Sequence, residues 1–275
     1  MAAMAEGPGE LLIVDNDFGG DPDGLVSLAH ILLRCGPGTT VLVTTSPLDP
    51  KLSEAAGADP ATTASRGSEL AEELLELMGI NYVRVISGAE APGNGEGQVS
   101  AAARAVVETS ASFERTTVLC GGPLTNIAAG LRLDSSLADR IMLVWVGGTL
   151  SDAGRGEYNA ETDLAAAAEV LASGMPLVRI PCEEYARMSV AVDAVKNDLA
   201  AASPVGSWLA ERLLDVPPFV QLGATLTLGD SVLVPFVPGA DALTERVAQD
   251  TVVHNQIDSA GLWDDLLHQL TARGR

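Results

Sequence analysis

The sequence predicts an α/β protein with a doubly wound, mostly parallel sheet flanked by helices. Short apolar runs alternate with longer stretches of helical periodicity, and this alternation is typical of βα units. The runs are continuously apolar, as strands buried on both faces of a sheet require. Apolar residues make up 47% of the 275 residues, which is enough for a large core. We therefore expect residues 1–275 to form a single domain.

Six short apolar runs predict the strands of this sheet, because Val, Leu and Ile dominate them and turn residues bound most of them. In chain order, the predicted strands span residues 11–14, 41–45, 83–86, 117–120, 141–146 and 177–180.

Helical patterns lie between and after these strands. Gly79 and Gly174 each follow such a pattern and are typical of helix C-caps. Segments rich in Pro, Gly and Asp predict loops at residues 47–60 and 91–97, and residues 225–236 look irregular. The predicted helices span residues 25–34, 65–78, 98–109, 124–132, 163–172, 208–214 and 262–271.

Four acidic residues crowd a glycine-rich turn at the end of the first predicted strand. Carboxylates held so close repel one another, so either some stay protonated or a cation lies among them. Hard oxygen ligands favour Ca²⁺ or Mg²⁺ over a soft metal. An acidic helix N-terminus would explain only the later pair. The cluster consists of Asp15, Asp17, Asp21 and Asp23.

Further polar segments follow the other predicted strands. In a parallel sheet, ligands bind beyond the carboxyl ends of the strands, so these segments are expected at one rim. Each segment alone also fits an ordinary turn or helix start, and Asp230 alone fits a plain turn residue after Gly229. The segments are Thr44-Thr45-Ser46-Pro47, Gly121-Gly122-Pro123-Leu124-Thr125-Asn126, Gly147-Gly148 and Gly154-Arg155-Gly156-Glu157-Tyr158-Asn159.

Taken together and in this order, these motifs resemble the nucleoside hydrolase family, the inosine-uridine-preferring N-ribohydrolases. That family opens with Asp-x-Asp-x-Gly and further aspartates after strand one. It carries Gly-Pro-Leu-Thr-Asn in mid-chain, then Gly-Gly, a Glu-Phe-Asn segment and a late aspartate. The similarity is closest over residues 11–172 and looser beyond.

The resemblance implies Ca²⁺-dependent hydrolysis of the N-glycosidic bond of ribonucleosides, which releases base and ribose. It implies Asp17 as the general base that activates the attacking water. The implied metal ligands are Asp17, Asp21 or Asp23, the Gly121 carbonyl and Asp230. The implied ligands of the ribose are the remaining cluster aspartate (Asp21 or Asp23), Glu157 and Asn159. The resemblance also implies a small-molecule nucleoside as partner and a homodimer or homotetramer.

The sequence departs from the family pattern at three places. Asp21-Pro22-Asp23-Gly24 replaces two adjacent aspartates, which leaves open which aspartate binds metal. Ser46-Pro47 stands where many members have Gly-Asn, and Gly229 stands where a histidine often helps to protonate the leaving base. The three histidines lie in helical or C-terminal stretches and are interpreted as structural. Remaining candidates for leaving-group activation are Arg155, Tyr185 and Trp145, although a tryptophan in a strand is more often core.

Composition and charge exclude some classes of partner and indicate a compartment. A net charge of −21 argues against nucleic acid and anionic membrane surfaces, since both need basic patches. Three widely spaced cysteines indicate neither a disulfide framework nor a zinc site. The N-terminus lacks a signal pattern, and no apolar run reaches the ~18 residues that span a bilayer. We therefore expect a cytoplasmic protein.

Two other functions remain open at this point. A haloacid-dehalogenase-type phosphotransferase also places Asp-x-Asp after strand one, but it needs a downstream lysine, and neither Lys51 nor Lys196 fits well. A non-catalytic relative that binds nucleosides or sugars would explain the missing histidine and asparagine. Release of reducing sugar from a nucleoside panel separates these alternatives.

Overall fold

The computed structural model describes residues 9–93, 99–217, 219–239 and 251–273. Within these ranges the protein contains a seven-stranded sheet of order β3-β2-β1-β4-β5-β6-β9, and every neighbouring pair is parallel. A short antiparallel pair, β7 and β8, lies apart from it. The strands are β1 (Glu10–Asn16), β2 (Thr39–Thr45), β3 (Arg84–Ser87), β4 (Arg115–Cys120), β5 (Ile141–Val146), β6 (Leu177–Ile180), β7 (Ser189–Ala191), β8 (Thr225–Thr227) and β9 (Thr251–Val252).

Helices connect the strands on both faces of the sheet. A π-helical turn (Val195–Leu199) joins two short helices, and 3₁₀ segments cover Pro60–Thr62 and Gly229–Phe236. The α-helices are α1 (Pro22–Arg34), α2 (Pro50–Ala55), α3 (Thr63–Leu77), α4 (Ala101–Ser110), α5 (Thr125–Leu133), α6 (Leu137–Arg140), α7 (Tyr158–Thr162), α8 (Leu164–Ala172), α9 (Cys182–Tyr185), α10 (Val192–Ala194), α11 (Ala200–Ala202), α12 (Pro204–Leu214) and α13 (Ser259–Arg273).

The predicted α/β fold and all six predicted strands are confirmed. Strands β5 and β6 have the predicted bounds, whereas β1 continues two residues past its apolar run to Asn16. Asp15 and Asn16 stay in the strand because their backbones pair with Thr44 and Thr45 of β2. The polar side chains that ended the apolar pattern therefore lie inside the sheet.

Two segments were predicted wrongly. Residues 47–60 are not a plain loop, because α2 and a 3₁₀ turn begin within them. The Asp49 carboxylate accepts the Leu52 amide and the Asp59 carboxylate accepts the Ala61 amide, so these aspartates are N-caps. Proline then occupies the first position of each helix, where its missing N–H costs nothing. Residues 225–236 are also regular, forming β8 and a 3₁₀ helix.

Helix α4 begins at Ala101, capped by the Ser100 hydroxyl, three residues later than the predicted start. That predicted start, Gln98, and residues 94–97 of the predicted loop 91–97 lie outside the described residues.

The core lies on both faces of the sheet. Along β1, Leu12 and Val14 pack into the cluster that includes α1 and the 3₁₀ helix, while Leu11 and Ile13 pack into the cluster that includes α5 and α8. All four side chains are at most 1% exposed. Burial of alternate residues on opposite faces explains why the strands are continuously apolar in sequence.

The strand order reverses between β1 and β4. Chain connections leave these two adjacent strands in opposite directions, which opens a crevice at their carboxyl ends. The backbone bond from the Gly121 amide to the Asp15 carbonyl, 3.0 Å long, holds the two strand ends together. The acidic turn therefore lies where α/β folds place their ligand sites. In the described ranges, no helix is long and apolar enough to cross a membrane.

Candidate active site

Three of the four predicted aspartates and the late Asp230 meet beyond the carboxyl end of β1. Oxygens of Asp21, Asp23 and Asp230 all lie within 4.8 Å of one another. The Asp23 carboxylate also accepts the Asp230 amide, at 3.0 Å. Asp17 lies beside this group, and both of its carboxylate oxygens are buried without a hydrogen-bond donor. Folding thus brings the turn that follows β1 next to a residue more than 200 positions away in sequence.

The electrostatics of this cluster are unfavourable unless a cation or protons neutralise it. Burial raises the pKa of Asp17 well above its ordinary value, and the neighbouring Asp21 and Asp230 raise it further. Burial and then Asp21 likewise raise the pKa values of Asp23 and Asp230. Buried carboxylates that lack donors and repel one another are typical of a metal or catalytic site.

The donor set fits a hard divalent cation. The unpartnered oxygens are both carboxylate oxygens of Asp17 and one of Asp23, and they are the hard ligands that Ca²⁺ and Mg²⁺ take. Gly121 allows the late aspartate to come this close, because a Cβ atom there would lie 2.6 Å from the Asp230 carboxylate. The Gly121 carbonyl accepts the Asn159 amide at 2.8 Å and retains a second lone pair.

Asn16 organises the cluster, and sequence reasoning missed it. Its amide nitrogen donates to the Asp230 carboxylate at 2.7 Å, and its carbonyl oxygen accepts the Asp17 backbone amide at 2.8 Å. A Cβ atom at Gly24 would lie 2.7 Å from the Asn16 amide nitrogen, so glycine is needed there. The signal in the sequence was a polar residue between two aspartates at the end of an apolar strand.

The Asp15 carboxylate is bound by residues outside the Asp21, Asp23 and Asp230 group. It accepts the Thr44 hydroxyl at 2.6 Å and the Asn126 amide at 2.8 Å. Burial raises its pKa to about 6, although these hydrogen bonds lower it in part. Asn126 also donates to the Thr45 carbonyl. Asp15 and the Asn of the Gly-Pro-Leu-Thr-Asn motif therefore tie β1, β2 and α5 together beneath the site.

Glu157, the N-cap of α7, and Asn159, in the first turn of that helix, reach the same site from the segment that follows β5. One Glu157 oxygen accepts the Gly148 and Ala160 amides, at 2.9 and 3.1 Å, and caps α7. The other accepts the Tyr185 hydroxyl at 2.9 Å. Asn159 is fixed by its bonds to the Gly121 and Val146 carbonyls, which leaves its own buried carbonyl oxygen without a donor. Asn159 thus holds a free acceptor beside the acidic cluster.

The Tyr185 ring packs closely against Gly229. A Cβ atom at Gly229 would lie 3.1 Å from the Tyr185 ring. The Tyr185 hydroxyl is already committed to Glu157, and burial followed by the Glu157 charge raises the pKa of Tyr185. A side chain at position 229 would therefore require the Tyr185 ring to shift by a few tenths of an ångström.

The other candidates for leaving-group activation lie elsewhere. Trp145 is fully buried in the core and donates to the Gly122 carbonyl, and Arg155 is exposed. His30 binds Asp265 of α13 at 2.7 Å, and His254 lies 3.7 Å from Glu184. His268 is exposed on α13. These contacts agree with a structural interpretation of the histidines.

A cavity of about 620 Å³ adjoins the acidic cluster. Asp21, Gly19, Gly20 and Tyr158 are among the residues that line it. The rest of its wall, which is mostly apolar, comes from α1, α2, α3, the end of α12 and the segment after it, together with Phe18 and Leu48.

One family of known proteins matches most of the chain. Residues 12–234 match the sequence model of a family described as inosine-uridine preferring nucleoside hydrolase. No curated protein sequence matches the chain.

Solved structures share the fold along nearly the whole chain. A plant nucleoside hydrolase, PpNRh1, superposes with a TM-score of 0.68 at 17% identity, covering 96% of this chain and 99% of that one. An inosine-uridine preferring nucleoside hydrolase from Bacillus anthracis gives 0.67 at 18% identity, covering 95% and 99%. The type III effector XopQ, complexed with adenosine diphosphate ribose, gives 0.65 at 16% identity, covering 99% and 95%.

Proposed function

The chain belongs to the inosine-uridine preferring nucleoside hydrolase family, and from this premise we propose that it hydrolyses the N-glycosidic bond of ribonucleosides in a calcium-dependent reaction. Membership makes the chain an enzyme of the nucleoside hydrolase class. The observation that carries the proposal is the set of buried, unpartnered carboxylate oxygens of Asp17 and Asp23 beside Asp230. A phosphotransferase of the haloacid-dehalogenase type is not supported by this membership.

Asp21, Asp23 and Asp230, with Asp17 and the Gly121 carbonyl, would hold the cation. When bound, a divalent cation supplies positive charge for the sugar hydroxyls and lowers the pKa of a water molecule. The hard ligand set agrees with Ca²⁺.

Asp17 is the proposed general base. Its two oxygens have no protein donor, so one of them is free to accept a proton from the attacking water. The water oxygen bonds to the anomeric carbon, the C–N bond breaks, and its electron pair leaves with the base. The transition state resembles an oxocarbenium ion, and carboxylates beneath the sugar stabilise its positive charge.

Glu157, Asn159 and one of Asp21 and Asp23 are the proposed sugar ligands. The free Asn159 carbonyl oxygen accepts a hydrogen bond from a ribose hydroxyl, and Glu157 is held in place by Tyr185, Gly148 and Ala160. A site built to hydrogen-bond a hydroxyl strongly rejects an analogue that lacks it. Specificity should therefore rest on the sugar.

This site differs from the pattern that the family resemblance implies in the residue that would protonate the leaving base. With glycine at position 229 and the Tyr185 hydroxyl bound to Glu157, no acid is identified among the described residues for protonating the base. Good leaving groups should be favoured, so p-nitrophenyl riboside should react faster than inosine or uridine.

Several expectations stay predictions. They are the extent of the domain over residues 1–275, the absence of nucleic-acid and membrane partners, a homodimer or homotetramer, and the cytoplasm as compartment.

The decisive experiment is a rate panel over purine, pyrimidine and p-nitrophenyl ribosides, each beside its 2′-deoxy form, with elemental analysis of the same protein. We expect near-stoichiometric calcium, turnover of ribosides and much slower turnover of deoxy forms. Equal rates for both sugars would contradict the sugar-anchored site. A metal-free protein that does not bind Ca²⁺ at millimolar concentration would contradict the metal assignment.

A non-catalytic sugar- or nucleoside-binding role is the second candidate, favoured by Gly229 and by Ser46-Pro47 in place of residues that the family uses. Calorimetric binding of ribose without turnover of any member of the panel would support this alternative.

A further inference from the structure

We propose that the cavity beside the acidic cluster binds a bulky apolar group on the base, so that the preferred substrates are ribonucleosides whose base carries such a substituent. The inference rests on the proposed function, because it assumes that the sugar lies at the acidic cluster.

The cavity continues directly from the proposed sugar site. Asp21, a member of the carboxylate group, lines both spaces, and Tyr158 lies between Glu157 and Asn159 in sequence. A group attached to a sugar at the cluster and directed past Asp21 would enter this cavity.

The volume exceeds what an unsubstituted base requires. At about 620 Å³ the cavity falls within the range that buries a drug-sized ligand. Its walls are largely apolar, as shown by Phe18, Leu48, Leu70 and Val216. An apolar substituent gains free energy by leaving water for such a wall, whereas a small base would leave much of it wet.

The charged residues of the cavity are already paired within the chain. Arg66 binds Glu69 at 2.8 Å, and Arg212 binds Glu73 at 3.1 Å while stacking on Trp208. The remaining charged groups in the described lining are Asp21 and Asp215, which are acidic. A phosphate would meet cations that are already paired and the carboxylates of Asp21 and Asp215, so the lining favours a neutral group.

Exposed hydrophobic side chains surround the cavity. Leu52, Phe219 and Val220 line it although they are 46%, 53% and 40% exposed. Apolar side chains that line a concave space and still contact water are typical of a binding site for an apolar ligand.

The test compares adenosine with N6-benzyladenosine, which share the sugar and the purine ring. We expect kcat/KM to be at least about tenfold higher for the benzyl compound, a difference of about 1.4 kcal/mol. The variant Ala56→Trp puts a large ring into the cavity lining. It should lower the ratio of kcat/KM for the benzyl compound to kcat/KM for adenosine by at least about tenfold. The matched control is Ala55→Trp, an exposed residue one position earlier that does not line the cavity, and it should leave the ratio unchanged.

The outcomes separate this inference from the proposed function. Hydrolysis of adenosine with equal or lower activity on N6-benzyladenosine, or a ratio that Ala56→Trp does not change, overturns the inference and leaves the proposed function intact. If neither compound is hydrolysed, calorimetry tests whether the cavity binds the apolar group, and the proposed function fails only if the whole riboside panel also shows no turnover. Binding of N6-benzyladenosine that Ala56→Trp weakens and Ala55→Trp does not would support the apolar site, and no binding would overturn it.

Discussion

At the scale of single residues, Asp17 combines deep burial with a carboxylate that no donor satisfies. Such a group costs stability and is retained for chemistry. Asp17→Asn should lower kcat by about 10²–10⁴-fold, since it removes a general base without changing side-chain volume. The variant should remain folded, with an equal or higher Tm in chelator, because one buried like charge is removed. Steady-state kinetics and thermal unfolding check both results, and retained turnover would refute the role of Asp17.

Asn16 acts through its neighbours, since it fixes the Asp230 carboxylate and the Asp17 backbone. Asn16→Ala should weaken Ca²⁺ binding about tenfold or more, because a hydrogen bond to a charged group contributes roughly 1.5–3 kcal/mol. Titration calorimetry with Ca²⁺ measures the change.

The control for this variant is Ser27→Ala, since the Ser27 hydroxyl donates to the Asp230 backbone carbonyl at 2.8 Å and not to its carboxylate. Ser27→Ala should cost stability while changing Ca²⁺ affinity much less. Equal losses of affinity in the two variants would show that Asn16 only supports the fold.

At the scale of elements, α9 connects the site to the C-terminal part of the chain. The buried Glu184 carboxylate accepts the amides of Asn255, Gln256 and Ile257, at 2.6 to 3.1 Å. Burial raises the pKa of Glu184, but these amides and Arg187 outweigh it and hold the pKa below its usual value. The segment that precedes α13 is therefore anchored to α9 by one ionised side chain.

Glu184→Gln should lower the free energy of unfolding by about 2 kcal/mol, because the neutral amide offers one acceptor oxygen to three donors. Because the folded pKa is lowered, the stabilisation is present above the unfolded pKa and is lost as pH falls through the folded value. Urea unfolding at pH 7 measures the loss. Glu183→Gln is the control, since Glu183 is exposed and accepts the Leu150 amide and the Cys182 thiol but no amide of the C-terminal segment; similar losses in both variants would contradict the anchoring role.

At the scale of the whole molecule, His30 joins the helix that begins at the site to the last helix of the described chain. Its ring nitrogen lies 2.7 Å from Asp265 of α13, and His30 itself is 1% exposed. Burial lowers the pKa of His30, although Asp265 partly opposes this, and Arg34 lowers it further. His30 therefore binds a proton less readily in the folded protein than in the unfolded chain.

The sign of the pH effect follows from this shift. Below the unfolded value of 6.5, the unfolded chain binds a proton at His30 that the folded chain excludes, so stability falls as pH decreases. One such group contributes at most about 1.4 kcal/mol per pH unit. His30→Gln keeps a donor for Asp265 and removes the titration, so its Tm should fall less between pH 7.5 and 5.5 than that of the wild type. Parallel curves for the two proteins would refute the role of His30.

The sequence determined the strands and the acidic turn of this protein, because both depend on local patterns. A short, continuously apolar run bounded by turn residues is typical of a buried parallel strand, and carboxylates that follow β1 must lie at its carboxyl end. The prediction of a loop over residues 47–60 was wrong because Pro and Asp were interpreted as loop formers. Here the aspartates cap helices and the prolines begin them.

Only the tertiary structure decided the contacts that complete the site. Asn16 meets Asp230 across 214 positions, and the Tyr185 ring fills the space beside Gly229. Neither contact follows from residue type or spacing, because each depends on how separate elements pack against one another. The same holds for the cavity beyond Asp21, whose walls come from helices and loops far apart in the chain. Local patterns specify which chemistry reaches the rim of the sheet, and packing decides which side chains share it.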